Sequence, residues 1–184
     1  MTAIASKSQL RMSFLRYALV TVPLVLLLGT VSGRISGSGY GNAWFDALAK
    51  PAFMPPGWAF GLAWTILYIL LGLVLAMLLH ARGARRRGLA IAVFLLQLLA
   101  NYLWPPLFFA FHELGWSLAL LAAMIGLTIV LLVLSWRIRR VAALFLLPYL
   151  AWLAFAALLT WSIASLNPEA GEVAPQREST DIVL

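Results

Sequence analysis

Five long apolar runs fill almost the whole chain between Tyr17 and Leu166. A helix needs about 20 mostly apolar residues to cross a bilayer, and each run is long enough to do so. The runs cover residues 17–33, 58–80, 89–111, 116–136 and 141–166. The sequence therefore predicts an all-α membrane protein, a bundle of five transmembrane helices.

Composition excludes a soluble globular domain. Of the 184 residues, 64% are hydrophobic and only 10% are charged, whereas about half of the residues of a soluble domain are apolar. The formal net charge of +7 would suit nucleic acid, but the basic residues form short clusters at the ends of apolar runs. We interpret these clusters as topology signals and lipid-headgroup contacts, and expect no nucleic-acid partner. The chain has no cysteine, so it has neither disulfides nor thiolate ligands.

Charge placement predicts the orientation of the bundle. With five crossings, the N-terminal tail, the second loop and the fourth loop share one side of the membrane. That side holds Lys7, Arg11, Arg16, Arg82, Arg85, Arg86, Arg87, Arg137, Arg139 and Arg140, and the other side holds every acidic residue. In a bacterial inner membrane, the positive-inside rule then predicts a cytoplasmic N-terminus and a C-terminus on the opposite side. Orientation alone explains these basic clusters.

The two ends of the chain are polar. We divide the sequence into a basic N-terminal tail (1–16), a five-helix membrane domain (17–167) and a disordered acidic C-terminal tail (168–184). The basic start and short apolar core of the first run would also suit a cleaved signal peptide. The length of the run, and the lack of a small-residue cleavage site near Ser32, favour its retention.

Aromatic, amide and glycine residues recur at helical spacing on three of the runs. Residues three and four apart lie on one helix face, so each set forms a stripe. The second run carries Gly57, Gly61, Trp64, Tyr68 and Gly72, the third Gln97, Asn101, Trp104 and Phe108, and the fifth Tyr149, Trp152 and Ala156. Amides are costly in hydrocarbon and must face another helix or a ligand.

Two interpretations of these stripes stay open. Ordinary helix packing, with amides as interhelical hydrogen-bonding groups, would suit any five-helix bundle. A pocket for a flat hydrophobic ligand is favoured by the number of aromatic and amide groups that converge. Trp58, Trp116, Trp136 and Trp161 lie at run ends, as in an aromatic belt, whereas Trp64, Trp104 and Trp152 lie inside the runs. Small residues in the fourth run, at Ala119, Ala123 and Gly126, suit close packing or dimer contact.

Catalytic chemistry is scarce. The two histidines, His80 and His112, are predicted at opposite membrane faces and cannot share a metal ion. The runs contain no Asp, Glu, Lys or Arg, and the chain has no nucleotide-binding or serine-hydrolase motif. We therefore predict no cofactor, and no hydrolytic or nucleotide-driven activity. Pro105 and Pro106 should kink the third helix and free backbone carbonyls near Asn101 and Tyr102.

Three segments together resemble the TspO/MBR family, the tryptophan-rich sensory proteins homologous to the mitochondrial translocator protein. They read WFDALAKPAFMPPGWAFGLAWTILY (residues 44–68), NYLWPPLFF (101–109) and LPYLAWLAFA (147–156). The resemblance spans about residues 17–167 and implies a five-helix bundle, commonly a homodimer, with a pocket open toward the first loop. Such pockets bind porphyrins such as protoporphyrin IX, and in some members sterols.

The resemblance also implies particular roles. Trp64, Tyr68, Asn101, Trp104, Tyr149, Trp152 and Ala156 match pocket positions, and Pro55 and Trp58 match the mouth. Some bacterial relatives degrade protoporphyrin in light, and the matching tryptophans here are Trp64 and Trp152. The chain departs from the family at residues 52–54 of the first loop, and it lacks the basic residue expected after Trp161 in the sterol motif. Porphyrin binding is therefore favoured over sterol binding.

Three functions follow as hypotheses. The first is a membrane protein that binds tetrapyrroles as a sensor, translocator or regulator. The second is a light-dependent porphyrin-degrading enzyme that uses Trp64 and Trp152. The third is a scaffold or regulatory membrane protein with weak sterol or lipid binding.

Overall fold

The computed structural model describes residues 7–170, and all regular secondary structure in that range is helical. The helices are α1 (Lys7–Ile35), α2 (Ala43–Ala47), α3 (Gly57–His80), α4 (Arg87–Pro105), α5 (Leu114–Ile138) and α6 (Arg140–Leu166), with a π-helical segment (Pro106–Ala110) after α4. Five of these are long and apolar enough to cross a membrane, the third crossing being α4 together with the π-helical segment. The predicted fold class is confirmed.

Helix bounds differ from the apolar runs at two places. Helix α1 begins at Lys7, so most of the segment predicted as an N-terminal tail is helical. The helix extends beyond the apolar run because lysine and arginine also favour helices. The loop between the first two crossings contains the short helix α2. The predicted disorder of the acidic tail concerns residues that, from 171 onward, lie outside the described part of the chain.

The outer surface of the bundle is apolar, unlike that of a soluble bundle. Large apolar side chains cover the outside, for example Leu19, Leu27 and Leu99. The core is also largely apolar, and it encloses a smaller set of polar side chains, among them Gln97, Asn101, Ser117, Thr128, Ser135 and Thr160. This is the distribution expected when lipid is the solvent, because a polar group has no partner in hydrocarbon.

Helix α1 packs along α3, and α5 packs along α6, with α4 between α1 and α5. The α1–α3 contact is close at Gly72, where an added Cβ would lie 2.6 Å from the Cα of Val22. Thr21 Oγ1 donates a hydrogen bond to the Gly72 carbonyl (2.8 Å) at the same place. Gly72 therefore permits the backbones of α1 and α3 to come into contact.

The two adjacent prolines reshape the end of the third crossing. Neither Pro105 nor Pro106 has an N–H to donate, and the backbone continues as the π-helical segment. The carbonyl of Tyr102 is freed by this change and accepts a hydrogen bond from Ser32 Oγ on α1 (2.6 Å). The predicted free carbonyl at Tyr102 is thus confirmed, and a neighbouring helix satisfies it.

Candidate functional site

A cavity of about 750 Å³ lies inside the bundle and reaches the loop between α1 and α3. Its volume is within the range of roughly 300–1,000 Å³ typical of small-molecule sites. All the long helices contribute to its wall. The aromatic part of the wall consists of Tyr40, Phe45, Phe60, Trp64, Tyr68, Trp104, Phe108, Phe109, Trp152 and Phe155.

Aromatic side chains from α3 and α6 form one side of the cavity. The ring of Trp64 stacks on Tyr68, with centroids 5.3 Å apart and planes at 29°. The ring of Trp152 meets Trp64 edge to face, with a centroid separation of 6.3 Å. Gly61 lies about one turn before Trp64 in α3, and an added Cβ at Gly61 would have no atom within 4 Å. This part of the wall is therefore aromatic, with open space at Gly61.

Another part of the cavity wall comes from α4 and its π-helical extension. Trp104 stacks on Phe108, with centroids 5.0 Å apart. The Trp104 indole N–H donates to the Ser117 carbonyl of α5 (3.2 Å), so its partner is protein backbone and its ring face is available to the cavity. A half-buried indole that already has its hydrogen bond presents an apolar surface.

Behind Tyr68, a buried hydrogen-bond network joins α3, α4 and α6. The Tyr68 hydroxyl donates to Asn101 Oδ1 (3.1 Å), and Asn101 Nδ2 donates to the Tyr149 hydroxyl (2.9 Å). Gln97 Nε2 also donates to the Tyr149 hydroxyl. Gln97 and Tyr149 are fully buried, and Asn101 nearly so. The amides therefore bind neighbouring helices, as the packing interpretation of the stripes expects.

The predicted site residues separate into two groups. Seven of them line the cavity, namely Gly61, Trp64, Tyr68, Trp104, Phe108, Trp152 and Ala156. Gln97, Asn101 and Tyr149 do not line it but hold Tyr68 from behind. Pro55 and Trp58 do not line it either. The Pro55 carbonyl accepts a hydrogen bond from the Tyr40 hydroxyl (3.2 Å), and Trp58 is 71% exposed.

The other tryptophans match their predicted places. Trp58, Trp116, Trp136 and Trp161 are exposed near helix ends, as an aromatic belt requires. Trp44, in contrast, is only 2% exposed, and its ring stacks on His112 at 4.2 Å. Within residues 7–170 no group of acidic, histidine or cysteine side chains is arranged to hold a metal ion.

Polar residues of the cavity come mainly from its loop end, and most of them were missed from sequence. The loop contributes Ser38, Tyr40 and Asn42, and the last turn of α1 contributes Arg34, while Thr30, Thr65 and Thr160 add hydroxyl groups from the helices. Arg34 is the charged residue of this wall. The sequence places Arg34 just after the first apolar run, and this position could have indicated a charged residue at the loop end of the cavity.

The first loop is a folded cover. Asn42 caps α2 by accepting a hydrogen bond from the Phe45 N–H (3.0 Å), and Asn42 Nδ2 donates to the Phe109 carbonyl (3.2 Å). Lys50 Nζ donates to three carbonyls at the end of α2, the shortest to Phe45 (2.7 Å). Asp46 Oδ2 accepts from the Gly41 N–H (2.9 Å). These bonds give Asn42, Asp46 and Lys50 a structural role in the first loop.

This cover is fastened to the far end of the chain. The Asn167 side chain accepts from the Ala49 N–H and donates to the Ala49 carbonyl, both at 2.9 Å. The Trp44 indole N–H donates to the Ala170 carbonyl (2.8 Å). We name these three bonds the loop latch. The latch joins the cavity cover to the C-terminal end of α6.

Comparison with known proteins agrees with this architecture. Residues 20–166 match the TspO/MBR family. The chain is 40% identical over 128 residues to "Tryptophan-rich protein TspO" of Archaeoglobus fulgidus, covering 68% of this chain and 81% of that protein. It is 34% identical over 128 residues to "Protein CrtK" of Rhodobacter capsulatus, covering 69% and 80%. It is also 35% identical over 142 residues to "Translocator protein" of Sus scrofa, covering 76% and 84%.

Proposed function

Because the chain belongs to the TspO/MBR family and is a multi-pass membrane protein with an aromatic cavity, we propose that it binds a flat tetrapyrrole such as protoporphyrin IX. The observation that carries the proposal is that two aromatic pairs line one cavity, Trp64 with Trp152 and Trp104 with Phe108. Flat aromatic ligands gain most from such stacking and edge contacts. In this role the protein acts as a sensor, translocator or regulator of porphyrin levels.

The polar end of the cavity supports the same ligand class. A protoporphyrin has an apolar macrocycle with carboxylates at one edge. Arg34 and the hydroxyl groups of Ser38 and Tyr40 line the loop end, where these carboxylates would lie. A guanidinium binds a carboxylate through charge-assisted hydrogen bonds. We therefore propose that the macrocycle enters edge first, with its carboxylates toward Arg34. A sterol, which has no carboxylate, would not use this contact.

Binding is tested by a dark titration of detergent-purified protein with protoporphyrin IX, followed by tryptophan quenching. We expect saturable quenching, weakened roughly 3- to 10-fold in Trp64→Phe and Trp152→Phe because each loses part of an aromatic contact. Trp136→Phe, at an exposed belt position, is the matched control and should bind as the unaltered protein does. Unsaturable quenching, identical in all four proteins, would indicate partition into the micelle and would favour a scaffold function.

A second candidate, light-dependent degradation of the bound porphyrin with dioxygen as oxidant, is favoured by one observation. Trp64 and Trp152 both line the cavity and contact each other, so two oxidisable indoles lie beside the proposed ligand. With porphyrin saturating, we expect illumination to bleach its absorbance. Bleaching should be about tenfold slower in Trp64→Phe or Trp152→Phe, which corresponds to an activation free energy higher by roughly 1.4 kcal/mol. Bleaching at an unchanged rate in both variants would remove this candidate.

Orientation and assembly belong to the proposal as well. We propose that the α1 start faces the cytoplasm of a bacterial host, on the basis of the ten basic residues at that end. We also propose a homodimer. In support, Ala119, Ala123 and Gly126 are exposed on α5, and a Cβ at Gly126 would have no neighbour within 4 Å.

A further inference from the structure

A second depression lies at the end of the bundle opposite the loop latch, between α1 and the end of α3. It has a volume of about 480 Å³ and is lined by Ser13, Arg16, Tyr17, Val20, Thr21, Leu79 and Arg82. Its polar part consists of two arginines with the hydroxyl groups of a serine, a threonine and a tyrosine, and Val20 and Leu79 are its aliphatic residues. The proposed tetrapyrrole function does not involve it.

One arginine of this depression is held in place. Arg82 Nη2 donates to the Tyr17 hydroxyl (2.6 Å), and the guanidinium carbon lies 5.9 Å from the centre of the Tyr17 ring. This hydrogen bond raises the pKa of Arg82, which is therefore charged at any physiological pH. A guanidinium has five N–H donors, and this contact uses one of them. The others are available to an acceptor in the depression.

The surrounding charge is of one sign. The acidic residues of the described chain are Asp46 in α2, Glu113 before α5 and Glu169 after α6. All three belong to the latch end, so none can serve as counter-ion for Arg16 or Arg82. Two guanidinium groups around one concavity, without a nearby carboxylate, form a site for an anion. Phosphate oxygens suit the forked geometry of arginine.

The outer face of α1 indicates where that anion comes from. Below Arg16 the same face continues through Val20, Leu24, Leu27 and Val31, at intervals of three and four residues. All four are exposed, Val20 by 64% and Leu27 by 61%. An apolar stripe that begins at a basic depression fits an anion that carries hydrocarbon chains. A soluble phosphate would make no use of it.

We propose that this depression binds the phosphate group of an anionic membrane phospholipid, with one acyl chain along the exposed stripe of α1. Arg16 and Arg82 hold the phosphate oxygens, and Ser13 adds a hydroxyl donor. Basic pockets between transmembrane helices bind anionic headgroups in this way.

The test measures lipid retention by native mass spectrometry of the full chain, purified in detergent with phosphatidylglycerol and, separately, with phosphatidylcholine. We expect one retained phosphatidylglycerol, and about a tenfold lower retention in Arg16→Gln or Arg82→Gln, since each removes a charge-assisted contact. Arg85→Gln is the matched control. It removes the same charge from an exposed position in the same loop that does not line the depression, and should change retention less than twofold.

A second variant keeps both arginines. Ser13→Asp places a carboxylate in the depression and should lower retention to a similar degree, while the unfolding midpoint in detergent identifies any variant that has lost its fold. Equal losses in Arg16→Gln, Arg82→Gln and Arg85→Gln would overturn the proposal, because diffuse attraction would explain them. Displacement of the lipid by sn-glycerol 3-phosphate would also overturn it, since the site would then be one for a soluble anion.

Discussion

Replacing Gly61 by phenylalanine is expected to weaken protoporphyrin binding roughly 5- to 150-fold while leaving the helix bundle folded. A side chain at this position enters open space, because an added Cβ has no atom within 4 Å. That space belongs to the cavity beside Trp64. A phenyl ring there takes the volume that the macrocycle needs, and overlap in a packed site costs roughly 1–3 kcal/mol or more. The dark quenching titration measures the effect.

The matched control for this variant is Gly115→Phe. Gly115 is also exposed, helical and free of neighbours around an added Cβ, but it lies on α5 outside the cavity. The control should bind porphyrin with unchanged affinity. If Gly61→Phe also binds normally, the ligand lies elsewhere and the proposed site is wrong. If both variants lose binding equally, the phenyl ring acts through the fold rather than through the cavity.

Replacing Tyr149 by phenylalanine is expected to lower the free energy of unfolding by about 2 kcal/mol. The Tyr149 hydroxyl accepts hydrogen bonds from both Asn101 and Gln97, so its removal leaves two buried amide donors without a partner. Each unsatisfied buried polar group costs about 1–3 kcal/mol, although some of this is recovered when the amides rearrange. Reversible unfolding in mixed detergent and SDS micelles measures the change.

Tyr40→Phe is the control for this second variant. It also removes one tyrosine hydroxyl, whose partner is the Pro55 carbonyl, but the residue is 49% exposed. We expect a change within about 0.5 kcal/mol, as for other surface substitutions. A Tyr149→Phe protein as stable as Tyr40→Phe would show that the buried network contributes little to stability.

The crossings and the inward faces were predictable from sequence because lipid imposes strict demands. A span must be long and apolar, and bulky polar or amide-bearing residues must face inward. The spacing of Trp64 and Tyr68, and of Trp104 and Phe108, therefore indicated faces that the structure places around one cavity. The freed carbonyl at Tyr102 followed from the chemistry of proline alone.

The partners of the inward residues were not predictable. An amide such as Asn101 faces inward whether it binds a ligand or another helix, so periodicity cannot separate the two outcomes. The structure shows that Asn101 binds Tyr68 and Tyr149. The folded first loop was missed for another reason. The contacts that fasten it to the end of α6 join residues more than 110 positions apart, as between Ala49 and Asn167, and local patterns carry no information about them.

For the ligand proposed above, we expect the loop latch to control the rate of exchange rather than the affinity. The groups that form the latch belong to Trp44, Ala49, Asn167 and Ala170, and none of these four residues lines the cavity. Breaking the latch is expected to lower the barrier to entry and the barrier to exit together. The residence time of the proposed ligand is then expected to depend on the junction between the first loop and the end of α6, away from the aromatic walls proposed to bind it.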